Sequence, residues 1–143
     1  MHRPNVGMHI GAAELDLRAA GRPPLQARRW CMMVLESWSI SAAISDDAIL
    51  ATSELVSNAV LHAPPVQFMR LILTESHLVL EVVDSSLQVP KAQPPDCFSE
   101  HGRGLFLIDR IAERWGSEPV HDRSTGRPTG KAVWCVLRLS NLG

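Results

Sequence analysis

Two prolines in succession, Pro64-Pro65, separate a helical period from a strand period, and that junction constrains the fold of this chain most. Before it, at about 100° per residue, Ile49, Thr52, Val56, Ala59 and Ala63 gather on one side of a helix. The residue before a proline is pushed out of the helical region, so the helix, running from about Asp46 to His62, has to stop there. After it, Val66–Thr74 and Leu78–Val83 read as strands, and Glu75-Ser76-His77 between them is of hairpin length. A helix with one apolar side that feeds a hairpin predicts helices layered on a sheet.

The rest of the chain extends that pattern. Residues 1–12 are polar and expected to be flexible, and Ala13–Leu17 alternates loosely, as an edge strand would. Gly21-Arg-Pro-Pro24 can open a helix over Leu25–Ser39, with Trp30, Met33, Val34 and Trp38 inward and Arg28, Arg29 and Glu36 outward. Ser45-Asp-Asp reads as the cap of the second helix. Residues 85–101 carry Pro90, Pro94 and Pro95 without periodicity, a long loop of the kind that serves a function. Gly102-Arg-Gly104 opens a third helix, Leu105–Arg114, which Trp115-Gly116 ends. A short strand at 117–122, a turn at Ser124–Gly130 and a final strand at Ala132–Leu139 follow. The expected class is α/β, an α+β two-layer sandwich: a mixed β-sheet with three main helices on one face, formed as one domain over residues 13–143.

Composition closes off several functions. The formal net charge is -1, so no bulk electrostatic attraction to nucleic acid is expected. Aromatic residues are few and Tyr is absent, which argues against a base-stacking platform. No apolar run approaches the ~20 residues that span a bilayer, and no signal-peptide pattern opens the chain. Cys31, Cys97 and Cys135 are odd in number and widely spaced, as reduced thiols of a cytoplasmic protein would be.

Several residues carry a chemical reading. Glu54, Asn58 and His62 follow one another at four-residue spacing and fall on a stripe away from the apolar cluster. A carboxylate and a carboxamide so placed can serve as a base and a hard-oxygen metal ligand; a solvated helix face is the plainer reading. Asp84 at a strand end can accept a hydrogen bond from an exocyclic amine or simply shape a turn. Gly102 and Gly104 allow backbone N–H groups to approach an anion at a helix start. Gly126-Arg-Pro-Thr-Gly130-Lys131-Ala132 is not a P-loop: its glycines are one residue too close, Ala replaces Ser/Thr, and a strand follows. Lys131 is expected to be a solvated lysine at a strand start, with a phosphate or an acidic group within reach.

In chain order, Glu54-x-x-x-Asn58, Asp84-Ser-Ser…Pro90, Gly102-Arg-Gly104-Leu and Gly130-Lys-x-Val-Trp134 resemble the histidine-kinase-like ATPase superfamily, with its Bergerat-type ATP-binding fold. The likeness covers roughly residues 13–140 and looks nearest to the small single-domain anti-sigma-factor serine kinases. It implies ATP and Mg²⁺ as cofactors, Glu54 as the general base, and Asn58 as the Mg²⁺ ligand. Asp84 would be the acceptor for the adenine amine. Gly102, Arg103 and Gly104 would line the phosphates at the end of a lid over residues 86–101. His62 matches a polar position near the nucleotide, and Lys131 falls in the last-strand motif. The implied partners are a sigma factor and an anti-anti-sigma protein with a STAS domain, and the relatives often pair as homodimers through the first helix region. The chain departs from the family where Ser86 replaces the glycine of Asp-x-Gly and Ala132 replaces a Thr. One lost hydrogen bond of about 0.5–1.5 kcal/mol implies about a tenfold loss of nucleotide affinity.

Three functions are compatible with these residues. An ATP-dependent serine kinase that also sequesters a sigma factor is favoured by Glu54, which a pure binder does not need. A nucleotide-gated binding module is the alternative. A sensor-kinase catalytic fragment is disfavoured, because the residues before Glu54 are taken up by the family's own first helix.

Overall fold

A computed structural model describes residues 6–62, 64–87 and 104–139. Five strands and three helices follow in the order β1 (His9–Asp16), α1 (Pro23–Ser37), α2 (Ala42–His62), β2 (Val66–Thr74), β3 (His77–Asp84), α3 (Gly104–Ile111), β4 (Arg114–His121) and β5 (Pro128–Arg138). The strands form one sheet in the order β1-β2-β3-β5-β4. The two-layer α/β class holds, but every strand pairing is antiparallel where a mixed sheet was expected. The reason lies in β4 and β5. β5 is buried from Gly130 to Leu137 and is apolar on both faces, which suits a central strand. β4 carries Pro119, which cannot donate to a ladder and so belongs at an edge. With β5 placed between β3 and β4, each neighbour runs opposite to the next.

Several element bounds differ from the sequence reading. β1 begins at His9, because backbone pairing with β2 from Thr74 onward recruits residues that carry no apolar pattern. Ser45 lies inside α2, which starts at Ala42 behind Ser41; Ser45 N–H already donates to the Ser41 carbonyl. α3 stops at Ile111, and Trp115-Gly116 belong to β4, opposite Cys135 and Trp134. Asp122 closes the β4–β5 turn, its Oδ1 accepting the N–H groups of Ser124 (2.8 Å) and Thr125 (2.9 Å). Met33 is exposed instead of inward: the buried stripe of α1 is Ala27, Cys31 and Leu35, spaced by four residues. Arg28, expected outside, is half-buried, and its guanidinium donates to Ser53 Oγ of α2 at 3.0 Å.

The helices cover one face of the sheet, with α2 packed against both α1 and α3 and against β2, β3 and β5. The core between the layers includes Leu35, Leu55, Met69, Leu71, Leu80, Ile108 and Cys135. The other face of the sheet holds a smaller cluster of Ile72, Val79, Trp134 and Val136. Beside it runs a cross-strand polar row in which Arg70 bridges Glu14 (3.0 Å) and the buried Glu81 (3.1 Å). No described helix is long and apolar enough to cross a membrane.

Candidate functional site

Side chains alternate across a strand, so Leu78, Leu80 and Val82 of β3 enter the helix-side core and Asp84 follows them on the same face. Val133, Cys135 and Leu137 do the same on β5, which places Lys131 on that face too. The register sets Asp84 opposite Lys131 and Val66 opposite Asp84. Because α2 ends just before β2 begins, the C-terminal half of α2 sits at this end of the sheet. α3 starts here as well: it leaves from the β3 side and delivers the chain to Arg114, which pairs with Val136 far along β5. The topology therefore brings Asp84, Lys131, the Asn58–His62 turn and the Gly104 helix start to one end of the molecule. Gly102 and Arg103 lie outside the described residues, as does the lid beyond Leu87.

Asp84 is 2% exposed and strongly held. Its Oδ1 accepts the Ser86 N–H at 2.8 Å and the Lys131 ammonium at 3.0 Å, and its Oδ2 lies 3.0 Å from the same ammonium. Burial pushes the carboxyl above the usual carboxylate range, while the Ser86 N–H and Lys131 draw it back. Lys131 is itself buried, which corrects the expected solvated lysine: its stem lies under the helix layer and its charge is spent on Asp84. Gly130 makes this approach feasible, since a Cβ there would collide with the Asp84 carbonyl oxygen. Ser86, standing where the family has glycine, supplies the N–H that orients Asp84. Ala132 is buried opposite Val83, with no hydroxyl to offer. Gln67, which sequence reasoning passed over, steadies the same turn by donating to Ser85 Oγ at 2.6 Å; its position one residue into β2, across from the strand end, was the available signal.

On α2 the buried residues are Ala48, Ala51, Thr52, Leu55, Val56 and Ala59. That arc is wider than the sequence cluster, and Ala63 lies outside the described residues. Glu54 and Asn58 border the arc and are half-buried, whereas His62 at the helix end is exposed. Ser53 faces α1 through Arg28, so the Glu54–Asn58 stripe lies on the opposite flank, toward α3. One helical turn, about 6 Å, separates the two side chains along the axis. Burial alone raises the Glu54 carboxyl above its ordinary 4.5. A carboxylate desolvated in this way takes a proton more readily than an exposed one, which suits a general base.

Among the described residues no three His, Cys, Asp or Glu side chains gather to hold a metal. The donor set therefore fits Mg²⁺ only in the manner of phosphate-linked sites, in which one or two protein oxygens share the ion with substrate phosphates. The Asn58 carboxamide is such an oxygen.

The family model of the histidine kinase-like ATPase domain matches residues 23–136, a span that contains all the candidate residues. No curated protein matches the chain.

Proposed function

The chain belongs to the histidine kinase-like ATPase family, a class of ATP-binding domains, and from that premise we propose that it is a regulatory protein-serine kinase of the anti-sigma-factor type. Its substrate would be a serine on an antagonist protein with a STAS domain, and it would also sequester a sigma factor. The observation that carries the reading is Glu54: a half-buried carboxyl, raised by burial alone, one helical turn from a hard-oxygen ligand. A module that only binds nucleotide gains nothing from that arrangement and loses stability by it.

Each residue then has one task. Asp84, buried at the end of β3, accepts the exocyclic amine of adenine. Asn58 would hold Mg²⁺, which when bound neutralises phosphate charge. Glu54 accepts the proton of the incoming serine hydroxyl as its oxygen bonds to the γ-phosphorus and the bond to ADP breaks. The start of α3 at Gly104 turns backbone N–H groups toward the phosphates. His62, exposed and at the C-terminus of α2, stands at the rim of the site.

Purified protein mixed with labelled ATP, Mg²⁺ and candidate antagonist domains tests the proposal. Phosphoserine on the antagonist, absent with Asn58→Ala and with Mg²⁺ removed, is expected. ATP binding without transfer to any antagonist would replace the kinase with a nucleotide-gated partner-switching module.

A further inference from the structure

The family reading leaves a buried cation unexplained. Lys131 is 7% exposed and lies 3.0 Å from both oxygens of Asp84. We propose that Lys131 is a specificity-determining positioning residue, one that keeps Asp84 ionised and oriented as an acceptor-only group for the base. The inference rests on the nucleotide reading above and deepens it.

An ionised carboxylate offers about four acceptor positions. On Oδ1, the Ser86 N–H and the Lys131 ammonium take two. Oδ2 stands at ion-pair distance from the same ammonium, 3.0 Å, and among the described residues accepts no hydrogen bond. The unclaimed acceptor capacity of Asp84 therefore lies on Oδ2, at a strand end where Gly130 lets β5 come close. Such a group pairs with a donor on the base, the 6-amino group of adenine, and repels the 6-carbonyl of guanine.

Without Lys131 the same carboxyl would be buried and uncompensated, and it would take up a proton. A neutral carboxyl both donates and accepts, so it would tolerate guanine through its O–H. Among the described residues the other groups around Asp84 cannot replace the cation. Across β2 stands Val66, followed by the neutral Gln67; the adjoining turn offers Ser85 and Ser86. From the helix layer, the described titratable groups at this end are Glu54, of the wrong sign, and the exposed His62.

The test measures affinity for ATP, GTP and adenosine by calorimetry across a series of pH values, on the parent, Lys131→Met and Lys131→Arg. The parent should prefer ATP over GTP to the same degree throughout. In Lys131→Met, ATP and adenosine should weaken together, about tenfold or more, the loss should deepen as pH falls, and the ATP/GTP preference should collapse. Lys131→Arg should restore the preference. An unchanged ATP/GTP ratio in Lys131→Met would overturn the inference. So would a pH-independent loss for ATP that spares adenosine, since Lys131 would then be a phosphate ligand. If Lys131→Met does not fold, Lys131→Arg decides: a direct phosphate contact would alter ATP and spare adenosine, whereas the positioning role keeps both near the parent. A parent that binds no nucleotide overturns the proposed function itself, an outcome distinct from a parent that binds and a variant that does not differ.

Discussion

The two ends of the sheet use polar residues in opposite ways. At the β2–β3 turn, Thr74 Oγ1 accepts the His77 N–H (3.0 Å) and donates to the His77 carbonyl. Ser76 Oγ bonds His77 Nδ1 at 2.6 Å, His77 Nε2 bonds Glu113 at 2.9 Å, and Arg138 approaches the same carboxylate at 3.5 Å. Every group there answers a neighbour, and the result is a clasp between β3, β5 and the start of β4. At the other end, Asp84 is buried with a lone pair to spare, and Glu54 is half-buried with a pKa that burial alone raises. Desolvated polar groups with unspent capacity are costly to a fold, and on the proposed reading Asp84 and Glu54 are kept at this end for a ligand. The Ser76–His77–Glu113 chain resembles a catalytic relay in its order of contacts, but it ties a turn to a strand, and its members satisfy one another.

The contrast can be broken most forcefully at Glu54. Glu54→Gln keeps the size and polarity of the side chain and cannot take a proton. Transfer of phosphate to serine should fall at least about 100-fold, while ATP affinity stays near the parent value. Single-turnover assays with an antagonist domain check this, and unchanged transfer would remove Glu54 from the chemistry.

Gly130→Ala probes the same end through the backbone. The added Cβ meets the Asp84 carbonyl oxygen, a backbone atom that can move only by parting β3 from β5. A loss of about 3 kcal/mol in urea unfolding is expected, with weaker nucleotide binding in whatever remains folded. A neutral substitution would mean that the strands are not held so closely.

At the far end, His77→Ala should cost only about 1 kcal/mol, the worth of an ordinary hydrogen bond or two, and leave nucleotide affinity unchanged. A change in ATP affinity would show that the two ends are coupled.

The smallest effect carries a sign. A carboxyl raised in the fold binds its proton more tightly there than in the unfolded chain. Its contribution is therefore present below the unfolded value near 4.5 and is lost as pH rises through the raised folded value. Above that range the ionised Glu54 burdens the fold. Glu54→Gln should thus melt slightly higher than the parent at pH 7, with the difference shrinking as pH falls toward 4.5. Parallel thermal scans measure it; a lower melting point at pH 7 would mean that Glu54 stabilises the fold.

The same contrast explains what the sequence disclosed. β2 and β3 were legible because two runs rich in apolar residues flank a hairpin-length gap, and α2 because its period is regular and Pro64-Pro65 ends it. Glu54 and Asn58 stood out because they follow at four-residue spacing on a stripe away from the apolar cluster, and Asp84 because it ends an apolar strand. The state of Lys131 was not legible. Its burial depends on which strand lies beside β3, and that choice follows from the placement of Pro119 at an edge, an event remote in sequence from Lys131. The early end of α3 was missed for a related reason: Trp115 and Gly116 suit a helix stop locally, yet pairing with β5 claims them for a strand. In both cases long-range pairing overrode a local signal.

The central claim is that the Asp84 end receives the base of ATP, and calorimetry of ATP-Mg²⁺ binding by the parent, Asp84→Asn and His77→Ala tests it most directly. Asp84→Asn replaces a charged acceptor by a neutral amide whose NH₂ faces Lys131 or the base, so affinity should fall at least about tenfold, the loss of one charge-assisted hydrogen bond, while His77→Ala binds as the parent does. Binding by Asp84→Asn equal to that of the parent, or no binding heat from the parent at millimolar nucleotide, would contradict the account.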